Sequence, residues 1–530
     1  MTVVVNTRDD FTLANFRRVA YGGEPVRIGA QARRVMTAGA GPGPAVGQPR
    51  QETASLARRA APGAGFGGGY LDPAVVRGTL FARLASLVSG HAGVRPSVAE
   101  RVAALLDGPM PPVPIDGQAG AGEAFPMACV LAGLRRDDLH EGEEEALLGG
   151  APCSAALAAH AAISARNRLA HAESICALSI EAFRAPLGAY DEALDDLWGD
   201  PHETAALRGL RRYLHGAGAA ERRFHQAPVS YRIIPRVLGQ VHRAVAAAEK
   251  AATVSLRSVA SDVVYVADEA GRPAGRAVRS GGSLNAMAYP ALNALSAAWA
   301  DLALVAERQV TALNTAETSG LPVNLVAPGA PGNGTYAYGW AANGYVEEAR
   351  AAATPALLPA VVEDPHADVV APTFSAYRRE RRAAECLDGV LAILAIVSSQ
   401  ALFATGRNPP QPLQPVLSFV RSVFPPIDGT GERDLSADGG RLQQALGAAA
   451  RSGELTVPDA DRGPAAVRLG DSYRVTFQAS STARSWREAA VPRTGCSSMD
   501  GEYLLAGTAR PSASAMARTW CGPAPQQMPT

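Results

Sequence analysis

Leu87-Val88-Ser89-Gly90-His91-Ala92-Gly93-Val94-Arg95-Pro96 joins two helical runs, and Gly120-Ala121-Gly122-Glu123-Ala124-Phe125-Pro126-Met127-Ala128 follows downstream. Before the first stretch, Val75 to Leu87 carries apolar residues at helical spacing, and Ser97 to Leu106 resumes the pattern after it. Working outward, the same pattern recurs over Leu157 to Phe183, Ile233 to Val254, Asn285 to Ala312, Tyr336 to Ala353 and Phe374 to Phe403. These runs are rich in Ala and Leu and mostly free of internal proline. Several exceed ordinary helix length, which predicts a mainly α fold: a bundle built around long central helices. Breakers punctuate it at Gly63 to Gly69, Gly108 to Pro114, Gly320-Leu321-Pro322 and Pro328 to Gly334. The cluster Gly65 to Gly69 has the composition of a phosphate cradle, but it precedes no lysine and is expected to be a loop.

Composition narrows the function. The 530 residues carry Lys+Arg 50 against Asp+Glu 50, with no block of like charge, so neither nucleic acid nor an anionic membrane is expected as a partner. The longest apolar run, Leu387 to Phe403, is broken by Asp388, Ser398, Ser399 and Gln400, and reads as a buried helix rather than a membrane span. Met1 to Asp10 lacks the apolar stretch of a secretory signal. Cys129, Cys153, Cys176, Cys386, Cys496 and Cys521 are scattered without a C-x-x-C pair. A disulfide framework and a zinc site are therefore not expected, and a reducing cytoplasm is the expected location. Lys250 is the only lysine, which excludes a Gly-Lys-Ser/Thr phosphate loop. It is also the single side chain able to form a Schiff base, but an amphipathic helix normally points its lysine at solvent.

The two quoted stretches resemble the aromatic and histidine ammonia-lyases. In that family a helix ends in Gly-His-Ser-Gly-Val-Arg, and a later segment reads Ala-Ser-Gly-Asp-Leu-Ala-Pro-Leu-Ala. Weaker matches follow in the same order: Ala146 to Gly150, Gln226 to Arg232, Ser280 to Gly282, Ser319 to Pro322, Val390 to Ile393 and Arg451 to Leu455. The resemblance implies a mainly helical fold of the aspartase/fumarase type. It also implies a homotetramer whose active sites draw on several subunits, and a small-molecule substrate. It divides the chain into a lyase-like segment 1–225, a helical segment 226–457 and an extra tail 458–530. Tyr473 to Gln478 and Glu502 to Ala506 give that tail strand-like composition amid Gly, Ser and Pro, so a small β-containing or disordered appendage is expected.

The resemblance also marks what is missing. The family cyclises Ala-Ser-Gly into a methylidene-imidazolone electrophile, whose exocyclic carbon is the serine Cβ after its hydroxyl leaves as water. The matching residue here is Ala121, which has no leaving group. The family's loop tyrosine falls on Val46, the asparagine of its Leu-Asn-Gly segment on Gly149, and a tyrosine before its arginine on Val229. Its Gln-Glu-Asp run falls on His366-Ala367-Asp368.

Ser230 and Arg232 stand where the family positions and anchors the substrate carboxylate, a task that suits the planar guanidinium fork. An ion pair at a subunit interface is the other reading of Arg232. His366 and Glu123 are the candidate acid/base groups; Asn285, with Ala121, Val46 and Gly149, is expected to line the pocket. His91 has two readings, structural hydrogen bonding and catalysis. No cofactor and no metal are expected. Elimination, isomerisation or cyclisation by proton transfer is the expected chemistry, with a non-catalytic binding or scaffold protein as the alternative.

Overall fold

The computed structural model describes residues 1–39, 69–118, 123–134, 139–140, 142–218, 222, 226–266, 276–359, 369–429 and 434–452. Val46, Ala121, His366 and the tail 458–530 lie outside the described residues.

The chain opens with β1 (Val3–Val5), α1 (Leu13–Ala20), β2 (Val26–Ile28) and α2 (Ala30–Gly39); β1 and β2 pair in parallel. Then come α3 (Pro73–Val88), α4 (Pro96–Ala104), α5 (Ala124–Val130), α6 (Glu143–Leu148) and α7 (Pro152–Phe183). Next are α8 (Ala193–Trp198), α9 (Pro201–Tyr213), α10 (Val229–Arg232) and α11 (Ile234–Arg257). An antiparallel hairpin, β3 (Val263–Val266) with β4 (Arg276–Arg279), precedes α12 (Ala288–Asn314), α13 (Ala316–Ser319) and α14 (Tyr336–Ala352). The described chain ends with α15 (Thr373–Ala404), α16 (Gln414–Val423) and α17 (Leu435–Ser452).

The mainly helical architecture agrees with the sequence reading. α7 and α15 are each 32 residues long, about 48 Å at 1.5 Å per residue, and both are buried over most of their length. A helix that is apolar on nearly every face has to be surrounded, and α11, α12, α14 and α17 supply the surround. These two helices are long and apolar enough to cross a membrane, yet the relevant windows are 89% and 94% buried inside the protein. The one charged pair at their centre is Arg168 with Asp388, joined by bonds of 2.8 and 2.9 Å. α7 runs antiparallel to α11, a register pinned by Arg166 to Glu249 and Glu173 to His242, and Ser179 meets Tyr231 on the preceding α10. The β3–β4 hairpin was not expected from sequence, where strands were anticipated only in the tail.

Candidate functional site

α7 begins without a cap of its own. Ala151 precedes it and has no side-chain acceptor, and Pro152 at the first helical position has no N–H. The next two amides need a partner, and Glu123 supplies it. Glu123 Oε2 accepts from Cys153 N at 2.6 Å, and Oε1 accepts from Ser154 N at 2.8 Å and from the Ser154 hydroxyl. Ser154 Oγ in turn reaches Thr373 Oγ1 on α15 at 2.9 Å. Burial pushes the Glu123 carboxyl up to about 7, against the downward pull of the Ser154 hydroxyl, the two amides and Arg83.

Arg83, in the apolar helix α3, is the counterpart of Glu123. It is fully buried, and that burial pulls its guanidinium down to about 10. It donates to Ala146 O at 3.0 Å and to Gly149 O, capping the end of α6. Arg83 thus closes one helix and Glu123 opens the next, with Gly149-Gly150 held between them.

That dipeptide has little room. A Cβ at Gly149 would lie 3.1 Å from Glu145 O and 3.2 Å from Asp262 Oδ2. Gly150 has φ +85°, and a Cβ there would sit 1.6 Å from Ala260 O. Asp262 therefore presents a carboxylate beside the place where the family carries an asparagine. Ser280 binds the same turn, its amide donating to Asp262 O at 2.8 Å and its hydroxyl to Ser261 O at 2.7 Å.

His91 lies on the loop between α3 and α4. Its Nδ1 is 2.8 Å from Tyr265 O, and Tyr265 N donates to His91 O at 2.8 Å. A carbonyl only accepts, so Nδ1 carries a hydrogen and donates it, on an exposed side chain. Asn285 is at the same end of the bundle. Its Oδ1 accepts from Met287 N and Ala288 N at the start of α12, and its Nδ2 donates to Ser255 Oγ at 2.8 Å.

Ser230 and Arg232 are elsewhere. Ser230 is buried at α10, its carbonyl held by Gln309 Nε2 at 3.1 Å. Arg232 is exposed and donates through Nε to Ala227 O at 3.0 Å. Their neighbour Tyr231 meets Ser179, near the end of α7, whereas Glu123 binds Ser154 at its start. At 1.5 Å per residue these points are about 38 Å apart along one helix. Within a single chain the structure brings Glu123, Gly149 and Asn285 to one end of the bundle and leaves Ser230 and Arg232 at the other.

Sequence reasoning missed Asp262 and Arg83. Arg83 was legible as one of two charges, with Arg77, in an otherwise apolar run; Asp262 sits in no motif. Among the described residues no group of three or more His, Cys, Asp or Glu is placed to hold a metal ion.

The sequence model described as "Aromatic amino acid lyase" matches residues 26–136 and 128–422. The chain is 29% identical over 409 residues to the histidine ammonia-lyase of Geobacillus thermodenitrificans, covering 70% of this chain and 80% of that one. It is 30% identical over 397 residues to the histidine ammonia-lyase of Aromatoleum aromaticum, covering 68% and 73%. Among solved structures, the fold is shared with histidine ammonia-lyase from Trypanosoma cruzi (TM-score 0.73, 21% identity, 86% of this chain and 96% of that one). It is shared too with phenylalanine aminomutase from Pantoea agglomerans (TM-score 0.75, 17% identity, 85% and 100%). Helix order, the colinear motifs and these matches agree, and the chain belongs to the aromatic amino acid lyase family.

Proposed function

We propose that this chain is an enzyme that keeps the lyase scaffold and its carboxylate anchor but works without a methylidene-imidazolone. It acts on a small carboxylate-bearing metabolite, of specialised metabolism, by elimination, isomerisation or cyclisation. The observation that carries this reading is Ala121: its Cβ bears no hydroxyl to expel, so the residues present do not fit the family's electrophile, and no step here runs through it.

Arg232 and Ser230 hold the substrate carboxylate, with the terminal nitrogens of Arg232 unbonded among the described residues. His366 and His91 move the proton. Glu123, both of whose oxygens accept from the start of α7, acts as a positioning residue. Asn285, Gly149 and Val46 line the pocket. Because the anchor and the Glu123 end are about 38 Å apart in one chain, the site is completed between subunits of a homotetramer.

Purified protein is incubated with histidine, phenylalanine and tyrosine and followed for urocanate or cinnamate absorbance, and its intact mass is measured. The expected result is no absorbance change and a mass with no water lost; a mass lower by two waters refutes the proposal. On an active substrate, Arg232→Ala and His366→Ala each lower kcat/KM at least tenfold, and full activity in both refutes the assignments. The engagement of both Glu123 oxygens by the start of α7 favours one second reading, a binding protein with no turnover. Ligand binding that needs Arg232 without any product formed would support it.

A further inference from the structure

A separate cavity of 330 Å³ opens between the first half of α7, the first half of α15 and the segment Tyr70–Pro73. Neither Glu123, Gly149, Asn285, Ser230 nor Arg232 lines it. Its walls carry charges of both signs. Two of the arginines are already neutralised: Arg168 by both oxygens of Asp388, and Arg381 by Glu385 at 3.0 Å. Arg451, on the last turn of α17, lies across Gly447 from Asp388, whose two oxygens are already bonded to Arg168. On the acidic side, Glu380 is buried and gives one oxygen to Trp299 Nε1 at 3.0 Å, and Asp72 gives Oδ1 to Ala74 N.

The floor holds His160, which is 5% exposed. Its Nδ1 is 3.1 Å from Tyr377 Oη, and its Nε2 has no partner. Burial pulls the ring down to about 4, so it is neutral at physiological pH. A buried, unbonded ring nitrogen is unfavourable, and a ligand that supplies the missing bond relieves that cost. Tyr21 lies near-parallel to the imidazole with ring centroids 5.9 Å apart, and Tyr377 meets it edge-on.

We propose that this cavity is a second small-molecule site, which takes a free amino acid or a zwitterion of that size. The guanidinium of Arg451 and the His160 Nε2 receive its carboxylate end, and Glu380 with Asp72 receives its ammonium. A polyanion or a polycation is disfavoured, because each meets a wall of its own sign. The volume is at the lower end of the range for small-molecule pockets, which suits a ligand of a dozen heavy atoms or so.

The test is calorimetric titration of the full-length protein with L-alanine, L-histidine and L-phenylalanine. Acetate and ethylammonium serve as half-ligand controls. At least one amino acid is expected to bind, with acetate and ethylammonium each at least tenfold weaker. Arg451→Gln and Glu380→Gln are expected to weaken it at least tenfold, while Arg232→Ala leaves it unchanged. Circular dichroism identifies a variant that has simply unfolded, and Arg451→Gln, on a partly exposed last turn, is the variant least exposed to that failure. Binding of none of the three amino acids overturns the proposal, as does acetate binding equally well. Loss of binding in Arg232→Ala with Arg451→Gln unaffected also overturns it, by placing the ligand at the carboxylate anchor of the proposed active site.

Discussion

Replacing Glu123 by glutamine tests the helix-start arrangement directly. Buried at the head of α7, the carboxyl titrates at about 7 rather than its usual 4.5. The folded chain holds this proton more tightly than the unfolded chain does. The stability it contributes is therefore complete below pH 4.5 and is lost as pH rises through about 7. At about 1.4 kcal/mol per pH unit, that loss is about 3 kcal/mol. Glutamine does not titrate and escapes it, although its NH2 turns a donor toward one of the two α7 amides, at a cost of about 1–3 kcal/mol at any pH. Urea unfolding of wild type and Glu123→Gln, followed by tryptophan fluorescence at pH 5 and pH 8, measures both effects. The gap between the two proteins is expected to move by about 2.5 kcal/mol in favour of glutamine on going from pH 5 to pH 8, part of the loss having already occurred at pH 5. An identical gap at both pH values would show that this carboxylate is not desolvated as the structure places it, and the reasoning would fail.

Two further outcomes follow from the same geometry. Gly149→Asn, which restores the residue the family carries, brings a side chain against Asp262 and should cost about 1–2 kcal/mol; Gly149→Asn with Asp262→Ala should recover most of it, as a double-mutant cycle in urea will report. Asp388→Leu alone leaves the buried Arg168 uncompensated and should cost about 3–5 kcal/mol, whereas Arg168→Met with Asp388→Leu should be within about 1 kcal/mol of wild type.

The long helices were legible because their physics is written locally. A stretch such as Leu387 to Phe403 has no polar face to show solvent, so its place at the centre follows from its composition. The short amphipathic α9 is rich in arginine and was not read as helix, and the hairpin of Val263–Val266 with Arg276–Arg279 gave only four residues of pattern per strand. The site was harder still. That Ala121 lacks a hydroxyl is plain from one letter, but that Glu123 caps α7 depends on Ala151 and Pro152 being unable to do so. Asp262 reaches Gly149 from a turn far along the chain, and no local pattern encodes such a meeting.

The length of α7 between Ser154 and Ser179 has a genetic consequence under the proposed reading. Two polypeptides, one damaged at Arg232 and the other at His91, are each inactive as pure assemblies. Co-expressed, they form mixed tetramers in which some pockets inherit an intact half from each parent. A cell carrying both damaged copies would regain a fraction of the activity that neither copy provides alone.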